Sequence, residues 1–364
     1  MIDVLVAGGG PAGLATAIHA ALAGMEAVVV EPRPGPVDKA CGEGLMPTGA
    51  AALADLGVAV PDGRPFRGIR YVDGPHRVQA EFRDGPGLGV RRTALHTALA
   101  HRARDLGVRV VGGRVDAVRA TGEGVRAHVT GGPEPCGPEL GGPEPGGPEP
   151  WGPEELGARW LVAADGLHSP TRARLGLDLP SGGPRRYGLR RHYRVAPWTD
   201  FVEVHWARGG EAYVTPVGDD LVGVAVLSSE RRTYDEHLAR FPDLLARLDG
   251  PPATPVRGAG PLRQRVRRRV AGPVLLVGDA AGYVDALTGE GISLALLSAR
   301  ALVGCLRAGR PEEYETAWRR LSWRSRLLTA ALVRARRHPP AARMIVPAAR
   351  RLPAVFGAAV RSLA

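Results

Sequence analysis

The chain has 364 residues, 44% of them hydrophobic and 23% charged, an ordinary globular balance with length enough to bury a large core without disulfides. Formal net charge is +11, but residues 301–364 hold 13 arginines against Glu312, Glu313 and Glu315, so residues 1–300 are nearly neutral, which argues against a nucleic-acid-binding fold. Cys41, Cys136 and Cys305 form no CxxC pair, which argues against a disulfide framework or a zinc site and fits a reducing cytoplasm; no apolar run reaches the ~18 residues of a membrane span.

In chain order, Ile2–Ala7 reads as a buried parallel strand, because it is a short apolar run ending in glycines. It starts at once and lacks the basic region of a signal peptide. Residues 11–24 have helical spacing, with Leu14, Ile18, Ala21 and Leu22 on one side, and residues 27–30 close a βαβ unit. A helix is expected over 92–106, a strand over 108–112 and an outlying β-hairpin over 113–129. Residues 131–157 hold nine glycines and eight prolines and read as a disordered, mildly acidic insertion without function, because proline removes amide donors and glycine raises the entropy of ordering. Residues 159–164 return to a buried strand. Strands dominate 185–228, including 211–217 and 221–227, and suggest a substrate-side sheet. Residues 273–277 form another buried strand, and a helix starts near Gly291. The segment beyond about 306 is helical and arginine-rich, and Pro339-Pro340 is expected to stop it.

The most informative local feature is Gly8-Gly9-Gly10-Pro11-Ala12-Gly13. This GxGxxG follows a strand and opens a helix, the context in which the motif acquires meaning. Gly8 permits the tight turn, Gly10 lets backbone approach a pyrophosphate, and Gly13 lets helix and strand pack closely. Pro11 and Ala12 begin the helix, whose N-terminal amides suit phosphate oxygens. Glu31 ends the second strand, 18 positions after Gly13. Its carboxylate can accept from both ribose hydroxyls and would repel a 2′-phosphate, so FAD or NAD is expected rather than NADP. Two further motifs end buried strands: Ala163-Ala164-Asp165-Gly166-Leu167-His168-Ser169, with Arg172 beyond, and Leu276-Val277-Gly278-Asp279-Ala280-Ala281-Gly282, continuing through YVDALTGEGI.

Together and in this order, the three motifs resemble the glutathione-reductase-type flavoproteins of the p-hydroxybenzoate-hydroxylase fold. The resemblance implies an α/β protein: a Rossmann-type FAD-binding domain (1–65, 91–179 and 270–305) interleaved with a mixed β-sheet substrate domain (66–90 and 180–269), then a helical basic C-terminal region (306–364). It implies that Gly8, Gly10, Pro11, Ala12, Gly13 and Glu31 bind the ADP half of FAD. Asp165 and Gly166 would lie near the pyrophosphate, Gly278 and Asp279 would hold the ribityl chain, and Gly289, Gly291 and Ile292 would present amides to the flavin pyrimidine edge. Arg92, in RTALHTAL, matches an Arg-x-x-Leu helix start that contacts FAD, and Val115 matches a strand whose backbone touches adenine.

Within that superfamily, DALTGEGI and the run Asp38-Lys39-Ala40-Cys41-Gly42-Glu43-Gly44-Leu45-Met46-Pro47 are similar to the geranylgeranyl-reductase branch. The similarity places Lys39, Cys41 and Gly42 beside the flavin and makes Cys41 and Tyr213 candidate catalytic residues. The branch's Tyr-Trp-Phe-Pro signature is incomplete, since the corresponding strand reads EAYVTPV and keeps only Tyr213 and Pro216. Lys39, the sole lysine, and Glu43 otherwise read as solvated charges, and His192 and His205 as structural histidines. The expected function is FAD-dependent oxidation–reduction of a hydrophobic small molecule. Reduction of a carbon–carbon double bond is favoured over NAD(P)H- and O2-dependent monooxygenation, with a non-catalytic flavin module as a third reading. A single GxGxxG implies an external electron donor, NAD(P)H or a protein. In the C-terminal region, Trp318, Leu321, Leu328 and Leu332 recur near helical spacing between arginines. That pattern fits an appendage packed on the FAD domain with its arginines in water, or peripheral docking on an anionic membrane.

Overall fold

In the computed structural model, residues 1–33, 35–131 and 154–363 are described. The fold is mixed α/β, built around two seven-stranded sheets. In the first, the apolar run Ile2–Ala7 lies in the centre, parallel to Ala27–Glu31 on one side and to Glu154–Ala163 on the other. The start of Arg109–Thr121 extends the parallel array beyond Ala27–Glu31, and Val274–Leu276 extends it beyond Glu154–Ala163. Strands buried on both faces need near-continuous apolar sequence, and Val4, Leu5, Val6, Val28, Val29 and Val30 are all within 1% of full burial. Helix Pro11–Leu22 packs against Gly291–Arg307 and Arg92–Asp105 over this sheet.

The expected hairpin is present but longer: Arg109–Thr121 and Gly124–Gly131 pair antiparallel, with an irregularity between Val115 and Ala117. It also corrects the bounds of the insertion. Gly131 ends one hairpin strand, and Glu154, Glu155, Leu156 and Gly157 belong to a strand registered against residues 126–129. Leu156 faces the apolar cluster beneath the hairpin, so burial and cross-strand pairing override the glycine–proline composition at that edge. The expectation of disorder for 132–153 lies outside the described residues.

The second sheet runs, in spatial order, Arg257–Ala259, Tyr187–Tyr193, Val222–Ser228, Gly210–Pro216, Phe201–Ala207, Gly68–Asp73 and His76–Glu81. All neighbours are antiparallel except Phe201–Ala207 with Gly68–Asp73. One face packs under the short helices Tyr234–Leu238 and Pro242–Leu245. The other face turns toward the loops that follow the first sheet's parallel strands and is covered by the C-terminal helices.

The C-terminal region is three helices, Glu313–Arg336, Pro339–Arg351 and Pro353–Arg361. Pro339-Pro340 follows the end of the first helix and also opens the next, because proline at N1 loses no helical hydrogen bond. The first helix lies on Gly291–Arg307, while the other two contact His76–Glu81 of the second sheet. The region therefore packs on both sheets' portions of the fold rather than on the first alone. Val346, Phe356, Val360 and Leu363 are buried in the second sheet's apolar cluster. Its arginines are not all in water: the Arg336 side chain is 11% exposed and pairs with Glu211. No helix among the described residues is long and apolar enough to cross a membrane.

Candidate active site

The three glycine and aspartate motifs converge at the C-terminal ends of the parallel strands. Gly8 has φ +109°, and a Cβ there would lie 2.6 Å from the Ala164 carbonyl oxygen, so the first and second motifs touch at backbone distance. A Cβ on Gly13 would lie 1.9 Å from the Gly8 oxygen, whereas one on Gly10 would meet only Arg92 Nη2 at 3.6 Å. The loop is thus closed against protein at Gly8 and Gly13 and open at Gly10, as approach of a ligand phosphate requires. Gly278 has φ +61° and packs on Ala12, bringing the third motif to the same helix N-terminus. The Arg172 side chain, 2% exposed, donates from Nε to Asp178 (2.5 Å), from Nη1 to the Ala280 carbonyl (3.2 Å) and from Nη2 to the Leu167 carbonyl (3.0 Å). It therefore cross-braces the Asp-Gly and Gly-Asp turns.

A cavity of about 530 Å³ opens between these turns and the second sheet, within the range of small-molecule sites. Gly10, Pro11, Ala12, Lys39, Cys41, Gly42, Arg92, Asp165, Gly166, Tyr213, Gly278, Asp279, Gly289, Gly291 and Ile292 line it. Gly8 and Gly13 shape the loop from behind. Glu31, buried at the end of its strand, accepts from the Gly9 amide (2.7 Å) and from Arg33 Nε (2.6 Å) and Nη2 (3.0 Å). Burial alone would raise its pKa, but these contacts hold it below the usual carboxylate value. Val115 stands apart from the cavity. It is buried under the hairpin, and its carbonyl accepts from Arg174 at 3.1 Å.

The electrostatics suit an anionic, hydroxyl-rich ligand. Enclosure raises the Asp279 pKa against the opposing pull of Arg92, Lys39 and Arg172. The crowded setting of the Lys39 ammonium, with Arg33 and Arg92 close by, lowers its pKa. Enclosure also pushes the Cys41 thiol up, so Cys41 remains a thiol rather than a thiolate. Tyr213 has its hydroxyl committed, donating to the Leu287 carbonyl at 2.7 Å. Asp165 Oδ1 and Arg92 Nε are buried on the cavity wall without a partner among the described residues, where buried polar atoms are ordinarily satisfied. Open backbone at Gly10, a ribose-type carboxylate at Glu31 and these two orphaned atoms fit FAD.

Glu43 is not the solvated charge that its sequence context suggests. It is 2% exposed, with φ +58°, a conformation uncommon for a residue with a side chain. Its Oε1 accepts from the Arg92 amide (2.8 Å), and its Oε2 lies 2.6 Å from His192 Nε2. His205 lies outside this group and pairs with Glu203 at 3.2 Å. Sequence reasoning also missed Arg186, Arg190, Glu211 and Asp285, all buried. For Arg190 and Glu211 the available signal was a charge inside an otherwise apolar sheet; Arg186 and Asp285 lie outside strands and carried none.

Residues 1–309 match the family described as FAD binding domain, and the chain belongs to that family. It is an FAD-dependent oxidoreductase of the geranylgeranyl-reductase-like kind. The menaquinone reductase of Mycobacterium tuberculosis is 30% identical over 325 residues, which cover 82% of this chain and 74% of that protein. A digeranylgeranylglycerophospholipid reductase of Methanothermobacter thermautotrophicus is 29% identical over 343 residues, covering 90% and 82%. Among solved structures, a geranylgeranyl bacteriochlorophyll reductase-like protein from Thermoplasma acidophilum superposes with a TM-score of 0.73 at 23% identity, covering 90% of this chain and 86% of that one.

Proposed function

We propose that the protein reduces a carbon–carbon double bond in a hydrophobic, isoprenoid-bearing substrate. The observation that carries this reading is the apolar end of the cavity. Beyond the flavin-side turns its wall is Met46, Ile69, Val204, Leu227, Leu262 and Leu363, supplied by the second sheet, the loops beside it and the C-terminus. Such a wall excludes water and holds a hydrocarbon chain, while offering little to orient a small polar aromatic. FAD, when bound, supplies the hydride. The chain's own residues do the rest: the glycine loop and Glu31 seat the nucleotide, Asp279 holds the ribityl hydroxyls, the Gly289 to Ile292 turn offers amides at a helix N-terminus, and Cys41 stands as a protonated thiol in the wall. Electrons enter from NAD(P)H or from a donor protein. In this reading 1–65, 91–179 and 270–305 act as the FAD-binding unit and 66–90 with 180–269 as the substrate unit.

The exposed residues Trp323, Leu327, Met344, Leu352 and Val355 of the C-terminal helices lie among arginines. They support a peripheral contact with an anionic bilayer, the phase in which an isoprenoid lipid would be presented. To test the reaction, FAD-loaded protein is reduced anaerobically with NADPH or dithionite and mixed with menaquinone or geranylgeranyl diphosphate. Products are read by mass spectrometry before and after admission of oxygen. A gain of two hydrogens that persists after oxygen has returned any quinol to the quinone supports the reading; incorporation of an oxygen atom, or no such product from either probe, refutes it.

A further inference from the structure

Beneath the turn Gly289-Glu290-Gly291 lies a second, far smaller cavity. Its volume is about 30 Å³, room for a single water molecule. Gly278, Asp279, Thr288 and Gly291 line it and also line the large cavity, so the two adjoin across this turn. Its far side is Ser325, Arg326 and Thr329 of Glu313–Arg336. The Glu290 side chain lines the small cavity and not the large one, and its Oε2 is buried without a partner among the described residues. A buried polar atom beside a water-sized space with polar walls marks a place where solvent reaches an ionisable group. Ser325 is partly exposed and Arg326 is exposed, so that space lies one side chain from bulk water.

Glu290 also occupies the residue before helix Gly291–Arg307, the position from which an acidic side chain commonly caps the first turn. It makes no such bond, which leaves the first-turn amides to a ligand. With FAD placed as proposed, that ligand is the pyrimidine edge, and reduction adds negative charge to this edge. A helix N-terminus favours one anion. An ionised Glu290 would bring a second to the same end, and like charges disfavour each other's ionised form. Burial already lifts the Glu290 carboxyl to about 7, against hydrogen bonds from Ser325 and Thr288. The other charged and titratable groups around the cavity are Asp279, Tyr283 and Asp285 from the preceding turns and Arg326 from the C-terminal helix. Asp285 is paired with the buried Arg186, and Arg326 stands at the exposed rim.

We propose that Glu290 takes up a proton when bound FAD is reduced and releases it on reoxidation, and so ties the cofactor's potential to pH. This rests on the placement of the pyrimidine edge at the Gly289 to Ile292 turn, and on no particular substrate. Two electrons pass from the reductant, dithionite in the test below, to the cofactor. The proton comes from solvent acid past Ser325 and Arg326 and forms an O–H bond on the Glu290 carboxylate. On reoxidation that O–H bond breaks, and the proton returns to solvent by the same opening, so each cycle ends where it began. Glu290 acts through the cofactor and touches no substrate; it is a positioning residue. The sign follows from the charges. Where Glu290 is neutral in both redox states, it leaves the potential alone. Where it is ionised before reduction, it makes reduction harder, and the potential falls more steeply with pH.

The test needs no substrate. Midpoint potentials of FAD-loaded wild type and Glu290→Gln are measured by anaerobic dithionite titration against reference dyes from pH 5 to pH 9. The two curves should coincide at the acid end and part above pH 7, wild type falling further. Their separation should correspond to a rise of about tenfold in the proton affinity of Glu290 on reduction, a usual size for coupling between two sites; parallel curves overturn the proposal. Ser325→Ala, which removes a hydroxyl that stabilises the carboxylate, should move the wild-type bend to higher pH. A bend that stays in place overturns the proposal, even where Glu290→Gln loses its FAD. In reduced-minus-oxidised infrared spectra at pH 8, wild type should gain a protonated-carboxyl band that Glu290→Gln lacks; the same band in both overturns it as well. The Gly291 amide resonance, followed as oxidised FAD is loaded, decides the placement separately. A silent Gly291 sinks the placement and the proposal with it, whereas a shifted Gly291 with parallel potentials sinks the proposal alone.

Discussion

Arg186 joins the two halves of the site, and its removal has a consequence that can be worked out. Its side chain, 9% exposed, meets Glu211 at 2.8 Å and Asp285 at 2.8 Å, both carboxylates being 3% exposed or less. Glu211 is also held by Arg336 from the C-terminal helix. Asp285 begins the turn that leads to Gly289 and Gly291, so four distant segments meet at one charge-balanced cluster. At an effective dielectric of about 20, each 2.8 Å pair attracts by about 6 kcal/mol, before the cost of desolvating the ions. Removing one partner of such a buried set costs about 3–5 kcal/mol, because the other charge remains buried. Arg186→Met should cost this much at pH 8.

The loss should shrink at pH 5. Burial already raises the Asp285 pKa, against the opposing pull of Arg186, and without Arg186 it rises further. A carboxyl whose folded pKa exceeds its unfolded value binds extra protons in the folded state, so stability falls as pH climbs between the two values. Urea denaturation followed by circular dichroism at both pH values gives the two numbers. Asp285→Asn, added to Arg186→Met, should recover a large part of the loss at pH 8 and flatten its pH dependence. A loss under about 1 kcal/mol at pH 8, or one equal at both pH values, would refute the argument that the cluster is a desolvated, mutually dependent unit.

Gly13→Ala should yield protein that retains no FAD, since the new Cβ would sit 1.9 Å from the Gly8 oxygen; a flavin spectrum at normal stoichiometry would contradict this. Burial lifts the Glu290 carboxyl to about 7 from an ordinary 4.5, so apo wild type should lose stability as pH rises between those values. Glu290→Gln should remove that slope and be the more stable by about 1–3 kcal/mol at pH 8 in urea titrations. Replacing Trp323 and Leu327 with serine should abolish flotation with anionic liposomes at low salt without altering the FAD spectrum; equal flotation, or none by wild type, would refute a bilayer contact through these residues.

The glycine loop, the parallel strands and the convergence of the three glycine and aspartate motifs were legible because their information is local. Turn geometry dictates glycine at Gly8, close packing dictates it at Gly13, and double-sided burial dictates runs such as LVA and VVV. The C-terminal helices were legible as helices, but a 3.6-residue pattern reports which face is apolar and not what it meets. That Arg336 turns inward to Glu211 depends on a residue 125 positions away. The strand edge at 154–157 was hidden because register against the hairpin, rather than composition, decides it.

Glu43 shows the same limit at the site itself. Beside two glycines it reads as a loop charge, yet its partner His192 lies 149 positions on, and neither residue alone predicts burial. The fold does not choose the reaction, because flavoproteins of this architecture reduce, hydroxylate and halogenate. The choice lies in what the chain adds around the cofactor. Oxygen insertion requires oxygen to reach the reduced cofactor and asks for no proton at the substrate carbon. Saturation of a double bond requires a proton at the substrate carbon in every turnover, beside whatever wall holds the hydrocarbon. Around this cavity the chain adds an apolar wall, Leu227 and Ala225 among it, on the strand whose Gly223 makes room for the buried Glu43–His192 contact.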